Sequence, residues 1–405
     1  MISREYPPET CWGGIGVYST LLSKELALRG HRVHVICQTL GQERTVERGN
    51  LTVHKIRNSY YFFPRIATTE FAQRINYIRA VRRRFLKIHS QQPFDVVEGP
   101  NFSAEGLGVS FIKEVPLVTR LHSSLNEVAK AYGKRPTWDS QLSASLENWT
   151  LYRSQAVTCS TRAHAELVGQ TAGYNPASIH ILPLGVPIPE DTRPPSSEKA
   201  KEPLVLFLGR LEPRKGVDTL VRAIPQVLEK APKTSFLFAG RDIYINGETH
   251  SVIGPPRLSY KRHLERLLPD SARNRVTFLG HVSDIQRREL LADCDLFVAP
   301  STYESCGFVY LEAMSYARPV IGCNVGGVPE VVKHGETGLL VPPSDPGALA
   351  RAILDVLSRP GQTSRMGAQA RAWVETHFSL DQMVTRTEQL YASLVKDFSA
   401  RKKAR

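Results

Sequence analysis

Short apolar runs alternate along this chain with longer segments in which apolar residues recur at helical spacing. Short runs bounded by turn residues predict buried strands, and a spacing of three to four residues predicts helices that cover them. Strands that alternate with helices in this way predict a parallel α/β architecture. Because 405 residues are too many for one ordinary core, the pattern predicts two such domains in tandem.

The predicted elements fall into two series. In the first, strands are predicted at residues 33–37, 51–56, 96–98, 117–121, 156–159 and 179–182, and helices at 17–29, 71–88, 104–112, 142–152 and 162–170. In the second, strands are predicted at 204–208, 235–239, 276–279, 296–299, 319–322 and 339–341, and helices at 219–229, 260–268, 285–292, 308–315 and 348–357. Residues 1–4 have the pattern of one more strand, either short or clipped.

A proline-rich, charged stretch at residues 183–203 separates the two series and is typical of an inter-domain linker. The predicted organisation is a first domain, a linker, a second domain, a last helix and a disordered basic tail. These occupy residues 1–185, 186–203, 204–378, 379–398 and 399–405. The polar stretch 242–256 is predicted to be a flexible loop.

The overall composition adds little to this picture, whereas the net charge adds information about the surface. Apolar residues make up 41% of the chain and charged residues 22%, as in soluble globular enzymes, and no apolar run is long enough to span a membrane. No signal peptide is visible and the six cysteines lack metal-type spacing. We therefore expect a cytoplasmic protein with free thiols. The formal net charge of +13 indicates a basic surface.

The densest basic segment is the predicted helix at residues 71–88, which has an apolar stripe and no acid between Glu70 and Asp95. Its cations are Arg74, Arg79, Arg82, Arg83, Arg84 and Lys87. The stripe can pack on the helix's own domain while the cations face water, or the helix can contact an anionic membrane surface. A nucleic-acid partner is disfavoured because no nucleic-acid module accompanies the charge.

Two carboxylates, Glu304 and Glu312, follow the predicted strand at 296–299 and flank the start of a helix. Open α/β sheets bind ligands in the loops that follow their parallel strands. The carboxylates can accept hydrogen bonds from the hydroxyls of a sugar or a ribose. Taken alone, the two residues are explained equally well by a structural alternative, in which Glu304 caps the helix or faces solvent and Glu312 is an ordinary acid on the helix surface.

Two cations, Arg210 and Lys215, follow the predicted strand at 204–208 and precede a helix. A helix N-terminus attracts anions, and a guanidinium with an ammonium beside it predicts a diphosphate clamp. The alternative is a pair of exposed basic residues in a turn. Because Glu304 follows another strand of the same predicted sheet, the clamp is favoured.

The first domain offers weaker signals. Gly13, Gly14 and Gly16 precede the helix predicted at 17–29 and would let the backbone approach a phosphate or substrate. No acid follows the next strand, which argues against a nicotinamide cofactor. His122 ends the strand at 117–121 and could hydrogen-bond a sugar hydroxyl, although a single histidine is more often structural. Asp293-Cys-Asp295 lies at the wrong end of a strand for a metal site, so no metal is expected.

Together these residues, in this order, resemble the retaining GT-B glycosyltransferases of family 4. The resemblance covers nearly the whole chain and implies two Rossmann-like domains that face a central cleft, with the last helix crossing back to the first domain. The matching positions are Gly13, Gly14, Gly16, His122, Gly209, Arg210, Lys215, Gly216, Glu304, Glu312, Gly326, Gly327, Glu330, Gly335 and Gly338.

The resemblance implies a role for each of these positions. Arg210 and Lys215 would bind the diphosphate of a nucleotide-sugar, and Glu312 its ribose. The candidate catalytic residues, which would contact the transferred sugar, are Glu304 and His122. Backbone N–H groups of Gly307, Phe308 and Val309 would face the donor, and Gly14 and Gly16 would approach the donor phosphate or the acceptor.

The implied function is transfer of a sugar from a nucleotide-sugar to a glycan, a glycolipid or a small molecule, without a metal or other cofactor. The implied location is the cytoplasm, with contact to the inner face of a membrane as one possibility. The alternatives are a nucleotide-sugar epimerase or phosphorylase on the same fold, and a non-catalytic basic membrane-binding protein. The sequence leaves the sugar, base, acceptor and linkage open.

Overall fold

A computed structural model describes residues 1–8, 10, 13–58, 69–133, 135, 137–190, 202–245 and 258–403. Tertiary contacts divide the chain into two units, one of Met1–Gly185 with Leu380–Arg405 and one of Val186–Ser379. Val186 donates a backbone hydrogen bond of 2.9 Å to Phe378. The described start of the predicted linker, residues 186–190, therefore belongs to the second unit, and residues 191–201 lie outside the described residues.

In the part of the chain that the structure describes, the first unit begins with twelve helices and strands. They are α1 (Gly14–Leu28), β1 (Val33–Gln38), β2 (Arg44–Arg48), β3 (Leu51–Ile56), α2 (Glu70–His89), β4 (Val97–Pro100), β5 (Leu117–Arg120), α3 (Leu125–Ala131), α4 (Trp138–Arg153), β6 (Ala156–Cys159), α5 (Arg162–Ala172) and β7 (Ile179–Ile181). All six predicted strands are confirmed. The sequence pattern missed β2, which is almost wholly exposed, and α3.

The helix predicted at residues 104–112 is wrong. The chain forms two short 3-10 turns there, at Phe102–Ala104 and Val109–Phe111. Ser103 and Ala104 have positive φ values of 64° and 53°, which a right-handed helix does not permit. A side chain at Gly108 would lie 2.9 Å from the carbonyl oxygen of Ile78, so this segment packs against α2 by its backbone.

Residues 1–3 lie between two groups of strands in the first unit. The strand orders are β2-β3-β1 and β4-β5-β6-β7, and all pairs but β2 with β3 are parallel. Ile2 donates a backbone hydrogen bond of 2.7 Å to Glu98 on β4, and Ser3 donates one of 3.0 Å to Ile36 on β1. The predicted strand character of residues 1–4 is thus confirmed for Ile2 and Ser3.

The described residues of the second unit form eight helices and eight strands, and these include all six predicted strands and all five predicted helices. They are β8 (Leu204–Leu208), α6 (Val217–Lys230), β9 (Ser235–Ala239), β10 (Tyr244–Ile245), β11 (Leu258–Ser259), α7 (Tyr260–Leu267), α8 (Asp270–Arg273), β12 (Val276–Gly280), α9 (Asp284–Asp293), β13 (Leu296–Ala299), α10 (Phe308–Ser315), β14 (Val320–Cys323), α11 (Val328–Val331), β15 (Gly338–Val341), α12 (Pro346–Ser358) and α13 (Pro360–His377). The sequence pattern missed α8, α13 and the short strands β10 and β11. The short strands β10 and β11 pair at the base of the predicted loop, and residues 246–256 of that loop lie outside the described residues.

Six parallel strands form the main sheet of the second unit, in the order β12-β9-β8-β13-β14-β15. The chain starts at β8 in the middle, moves outward to β9 and β12, and then returns to the other side of β8 with β13. Strand order therefore reverses between β8 and β13. In open parallel sheets, ligands bind in the crevice beyond the carboxyl ends of the strands at such a point.

The last helix, α14 (Leu380–Lys403), packs on the first unit, as predicted for the helix that returns to the first domain. Arg29 at the end of α1 forms ion pairs of 2.7 Å with Asp381 and 2.6 Å with Glu388. Tyr391 donates a hydrogen bond of 2.8 Å to the buried Glu98. The predicted disordered tail is wrong for residues 399–403, which continue the helix.

The predicted amphipathic helix at 71–88 is confirmed as α2, but its cations do not form one solvated row. Arg74 is buried and contacts Ser103, and Arg82 donates a hydrogen bond of 2.7 Å to the carbonyl of Gly108. Arg84 forms an ion pair of 3.3 Å with Glu43. Arg74, Arg82 and Arg84 are thus engaged in internal contacts. No helix in the described part of the chain has the length and apolar character needed to cross a membrane.

Candidate active site

Lys215 and Glu304 meet at the point where strand order reverses in the second unit. Lys215 ends a 3-10 turn after β8, and Glu304 lies in the loop between β13 and α10. The ammonium of Lys215 contacts Oε1 of Glu304, and Ser301 donates a hydrogen bond of 2.9 Å to the same oxygen. The structure therefore brings together two residues that the sequence placed on separate loops.

A buried acid that the sequence analysis missed, Glu212, anchors the basic residues of this site. Its side chain is fully buried and forms ion pairs of 2.9 Å with Arg214 and 3.2 Å with Arg210. Arg214 is itself buried and lies 3.9 Å from Oε2 of Glu304. The signal for both residues was present in the sequence, because they lie between Arg210 and Lys215. Three cations and two carboxylates leave the cluster with one net positive charge.

The exposure of the cations differs. The side chain of Arg210 is 43% exposed, whereas those of Arg214 and Lys215 are largely buried. Arg210 is therefore accessible to a ligand from solvent, while Lys215 is held in place by Glu304. A buried ammonium and a partly exposed guanidinium beside the N-terminus of α6 suit an anionic group such as a diphosphate.

Burial and the neighbouring charges act in opposite directions on the pKa of each member of the pair. Burial raises the pKa of Glu304, but the nearby Lys215 and Arg214 outweigh burial and hold it below its ordinary value. Burial lowers the pKa of Lys215, and Glu304 opposes that shift. Because each charge stabilises the other, removal of one partner would leave an uncompensated buried charge.

Glycines determine the backbone conformation of the loops around Glu304. Gly307 precedes α10 with φ of 92°, and the helix begins at Phe308, as predicted. Gly326, with φ of 51°, lies so close to Glu304 that a Cβ there would overlap the carbonyl oxygen of Glu304. Gly327 donates a backbone hydrogen bond of 3.0 Å to that oxygen. The glycine pair after β14 therefore fixes the backbone that carries Glu304.

Glu312 lies on α10 and contacts a different partner. Its carboxylate forms an ion pair with Arg287 of α9, which also lies 3.4 Å from Asp284. Arg287 escaped the sequence analysis because nothing along the chain links α9 to α10. The predicted contact of Glu312 with a ribose stays a prediction, as do the donor contacts of Gly307, Phe308 and Val309.

His122 lies at the carboxyl end of β5 in the first unit, as predicted. Its backbone N–H donates a hydrogen bond of 2.7 Å to Oδ1 of Asn101, and its ring meets that of Tyr18 edge to face at 5.6 Å. Burial, together with Arg120 and His164, lowers the pKa of His122 to about 3. The ring is therefore neutral at physiological pH and can exchange hydrogen bonds with a hydroxyl.

The glycines near the N-terminus do not form the loop that the sequence predicted. α1 begins at Gly14, so Gly14 and Gly16 belong to its first turn. A side chain at Gly16 would lie 3.2 Å from Cβ of Glu5, so Gly16 allows α1 to pack against the preceding segment. This packing gives Gly16 a structural role, and the predicted approach of both glycines to a phosphate or acceptor stays a prediction.

A buried group in the first unit, formed by Glu127, Cys159 and His164, was not predicted. The two ring nitrogens of His164 lie 3.0 Å from Oε2 of Glu127 and 3.3 Å from Sγ of Cys159. Ser124, the N-cap of α3, donates a hydrogen bond of 3.0 Å to Glu127. Since α3 follows the loop that starts at His122, this group ties that loop to the start of α5.

His164 should make the stability of the first unit depend on pH. Burial lowers its pKa, but the contacts with Cys159 and Glu127 outweigh burial and raise it from 6.5 to about 10. The imidazolium therefore stabilises the fold fully below about pH 6.5, and this contribution is lost as the pH rises through about 10. We expect His164→Gln to lower the free energy of unfolding at pH 6 and to flatten its decline toward pH 10, as measured by urea titrations. Parallel curves for the variant and the wild type would contradict the assignment.

In the described part of the chain, histidine, cysteine and acidic side chains form no group of three suited to a metal ion. Asp295, part of the Asp293-Cys-Asp295 pattern, accepts a hydrogen bond of 2.8 Å from the backbone of Leu204. Asp295 precedes β13, at the amino end of that strand. The pattern thus serves the pairing of β13 with β8.

Two family models match consecutive parts of the chain. Residues 12–189 match Glycosyltransferase Family 4, and residues 189–373 match Glycosyl transferases group 1. Together the matches span residues 12–373, which include every candidate residue described above. The chain belongs to the family-4 glycosyltransferases. The matches also confirm the prediction that it is an enzyme of this class.

Two relatives of known name span nearly the full length of this glycosyltransferase, and a third spans about half of it. It is 27% identical to the glycogen synthase of Mycobacterium tuberculosis, over 96% of this chain and 93% of that protein. It is 26% identical to the N-acetyl-alpha-D-glucosaminyl L-malate synthase of Bacillus anthracis, over 96% and 97%. A Corynebacterium glutamicum enzyme, the GDP-mannose-dependent monoacylated alpha-(1-6)-phosphatidylinositol monomannoside mannosyltransferase, is 33% identical over 55% of this chain and 58% of its own.

Solved structures with the same fold include the sucrose-phosphate synthase of Thermosynechococcus elongatus, with a TM-score of 0.79, 22% identity and 98% coverage of both chains. Another is the Anabaena protein HepE in complex with UDP and glucose, with a TM-score of 0.71, 21% identity and coverage of 97% and 98%. These matches confirm the predicted GT-B class with two Rossmann-like units. At these identities they establish the fold alone.

Proposed function

We propose that this glycosyltransferase moves a sugar from a nucleoside diphosphate sugar to an acceptor with retention of the anomeric configuration, and that it uses no metal. The observation that carries the proposal is the Lys215–Glu304 pair where strand order reverses between β8 and β13, with Arg210 beside it. The family supports the use of a nucleotide-sugar as donor, and so does a relative that is named as a GDP-mannose-dependent enzyme.

The proposed chemistry follows from charge. Departure of the nucleoside diphosphate builds negative charge on its oxygens, and the net positive cluster of Arg210, Arg214 and Lys215 stabilises that charge. Groups preorganised in this way act most strongly in a site from which water is excluded. Glu304, already held ionised by Lys215, accepts hydrogen bonds from the hydroxyls of the transferred sugar.

Other residues complete the proposal. Glu312 accepts hydrogen bonds from the ribose of the donor while Arg287 orients its carboxylate. The neutral ring of His122 hydrogen-bonds a hydroxyl of the sugar. The acceptor is a glycan, a glycolipid or a small molecule, and we propose that the enzyme works in the cytoplasm at the inner face of an anionic membrane. One named relative has a phosphatidylinositol mannoside, which is a lipid, as its acceptor.

A thermal-shift screen against UDP-, GDP- and ADP-sugars tests donor binding. A ligand at a hundred times its dissociation constant stabilises the protein by about 2.7 kcal/mol, so the correct donor should raise the melting temperature clearly above the others. Arg210→Gln should reduce that rise, since Arg210 is the exposed cation of the clamp. Arg288→Gln, which changes an exposed arginine of α9 without a role in the proposal, is the control.

Product analysis then separates the possible reactions. Incubation of the enzyme with the stabilising donor alone should leave the sugar unchanged, whereas an epimerase would alter it without an acceptor. With an acceptor extract, NMR of the isolated product should show the anomeric configuration of the donor. A product of inverted configuration, or no stabilisation by any of the donors, would overturn the proposed reaction.

A further inference from the structure

Five large apolar side chains are exposed on one face of α4 and on the turn beside it. Phe111, Trp138, Leu142, Trp149 and Tyr152 are 42%, 62%, 45%, 48% and 60% exposed. The last four belong to α4, and their spacings of four, seven and three residues return to one face of a helix. A contiguous apolar patch on a soluble protein marks an interaction site. We call these five residues the α4 surface.

The side chains of the α4 surface are held in place. The ring of Phe111 meets that of Trp149 edge to face, with ring centroids 5.4 Å apart. The guanidinium of Arg153 lies 3.9 Å from the centre of the Phe111 ring. The hydroxyl of Tyr152 donates a hydrogen bond of 3.0 Å to the carbonyl of Ala172. Because these groups are already ordered, a partner that binds them causes little loss of side-chain entropy.

Within residues 138–153, which the structure describes in full, the face that carries the α4 surface has no charged side chain. The residues between the apolar side chains are Gln141, Ser145 and Asn148. The charged residues of α4 are Glu147, which is buried, and Asp139 and Arg153, which lie near opposite ends of the helix. An uncharged face with aromatic anchors suits an apolar partner better than an anionic one.

The side chains of this face follow a symmetric order. Successive residues of a helix are separated by about 1.5 Å along its axis and about 100° around it. Ser145 therefore lies at the centre of the face. Leu142 and Trp149 lie on one side of the centre line, and the amides of Gln141 and Asn148 lie on the other. Each pair has one member before Ser145 and one member after it, at nearly equal distances.

This order makes the face complementary to a second copy of itself. Two antiparallel copies of α4, related by a two-fold axis at Ser145, would place Leu142 against Trp149 of the second copy. They would also place Trp138 against Tyr152, and the two amides of the face would meet and exchange hydrogen bonds. The acidic N-terminal end of each helix would lie beside the basic C-terminal end of the other, so that charges and helix dipoles attract.

The α4 surface is large enough for such an interface. An aromatic side chain has about 200 Å² of surface, so the exposed parts of the four rings amount to about 400 Å². With Leu142 and the polar residues between the rings, two copies would bury about 1,000 Å² in total, which reaches the lower limit for a specific interface. An area of this size fits a reversible dimer.

We propose that the α4 surface binds the α4 surface of a second copy, so that the enzyme is a two-fold symmetric dimer with its axis at Ser145. Most oligomers of a single kind of chain are dimers of this type, in which both copies use the same patch. The interface is independent of the proposed reaction and of the proposed membrane location.

The buried side of α4 connects this interface to the candidate site. Glu147 accepts backbone hydrogen bonds of 2.8 Å from Ser103 and 3.1 Å from Leu125. Leu125 begins α3, directly after the loop that starts at His122. A partner that stabilises α4 should therefore stabilise the first unit, and the melting temperature should rise with protein concentration.

Charge substitution at Ser145 tests the position of the axis. Ser145 is exposed, and its hydroxyl donates a hydrogen bond of 2.9 Å to the carbonyl of Gln141 in the same helix. Sedimentation equilibrium of the full-length wild type should show dimers. Ser145→Arg and Ser145→Glu should each weaken association about a hundredfold or more, because like charges would meet at the axis. Ser393→Arg, at an exposed position of α14, is the matched control and should leave the dimer intact.

A mixture of the two charged variants makes the test specific. In a mixed dimer, the introduced arginine of one copy would face the introduced glutamate of the other. Equal amounts of Ser145→Arg and Ser145→Glu should therefore form dimers again, at least about tenfold more tightly than either variant by itself. A folding defect would not be repaired by mixing, so recovery reports the interface alone.

Removal of apolar side chains tests the contacts on either side of the axis. Trp138→Gln with Leu142→Gln should weaken dimerisation about tenfold or more, since aromatic anchors contribute most of the binding energy of an interface. It should also make the melting temperature independent of protein concentration. Leu28→Gln is the control, because Leu28 is 81% exposed at the end of α1 and lies outside the α4 surface.

Each remaining outcome would overturn the proposal. A wild type that sediments as a monomer at micromolar concentrations would exclude the dimer. Dimers that persist in Ser145→Arg, or folded monomeric variants that do not associate on mixing, would exclude this interface. If monomeric wild type binds a soluble glycan or lipid vesicles, and the variant at Trp138 and Leu142 does not, the α4 surface serves a different partner. Stabilisation by the donor tests the proposed reaction separately from all of these results.

Discussion

Replacing Lys215 with methionine should lower kcat/KM for sugar transfer by about 10²- to 10³-fold, the loss typical of one preorganised group that stabilises charge in a transition state. The same change should destabilise the second unit. It removes the partner of the buried Glu304 and leaves Arg214, 3.9 Å away, as its remaining close cation. Breaking a buried ion pair in this way costs about 3–5 kcal/mol. Initial-rate kinetics and urea unfolding measure the two effects.

A double variant separates catalysis from stability. Lys215→Met with Glu304→Gln removes both buried charges, so it should recover part of the lost stability. Transfer should remain as low as in the single variant, because the ammonium is still absent. Lys261→Met, a change at a half-exposed lysine of α7 paired with Glu265, is the control and should leave both measurements near wild type. Recovery of activity with stability would show that Lys215 acts only through folding.

Among Gly→Ala substitutions at the glycines of the site, Gly216→Ala should lower the stability of the protein most. Gly216 has φ of 62°, and a Cβ there would overlap the carbonyl oxygen of Pro300 at the end of β13. The left-handed conformation alone costs a non-glycine residue about 1–3 kcal/mol. The overlap adds to this cost because it forces apart the loops that carry Lys215 and Glu304. We expect a total loss above about 4 kcal/mol and the loss of donor binding.

A second glycine of the same unit is a matched control. Gly335 has φ of 81°, and a Cβ there would meet no atom within 4 Å. Gly335→Ala therefore introduces the backbone strain without the overlap. Thermal unfolding should show a much larger shift for Gly216→Ala, at about 2–4 °C per kcal/mol for a unit of this size. Equal shifts for both variants would show that the contact with Pro300 has no energetic consequence.

Sequence reasoning worked best where local pattern and burial coincide. Strands β8, β9 and β13 lie where the apolar runs predict them because parallel strands covered on both faces are apolar throughout. The helix start at Phe308 was also predicted, since Gly307 ends the preceding loop. Local pattern failed at β2, whose residues are mostly exposed, and at residues 104–112, where the backbone turns back on itself and packs closely against α2.

The candidate site was only partly predictable. Lys215, Glu304 and Arg210 were found from their places after strands, and the family resemblance gave them roles. Glu212 and Arg214 were overlooked although they lie between two predicted site residues. Arg287 could not have been found, because its contact with Glu312 joins helices that are separated along the chain.

The contacts of the basic residues of α2 also could not be predicted from the sequence. In the sequence these residues form one continuous basic segment, but the structure gives Arg74, Arg82 and Arg84 partners inside the first unit. Only the fold decides which member of a series finds a carboxylate or a carbonyl, because those partners come from other elements.

The sequence by itself determined the parallel α/β series, the family and the loops that carry Lys215 and Glu304. These depend on the spacing of apolar residues and on local turn chemistry, which neighbouring residues set. The tertiary structure alone decided that β8 and β13 are adjacent and that Lys215 and Glu304 are partners. It did so because strand order and ion pairing arise from packing between residues 89 positions apart in the chain.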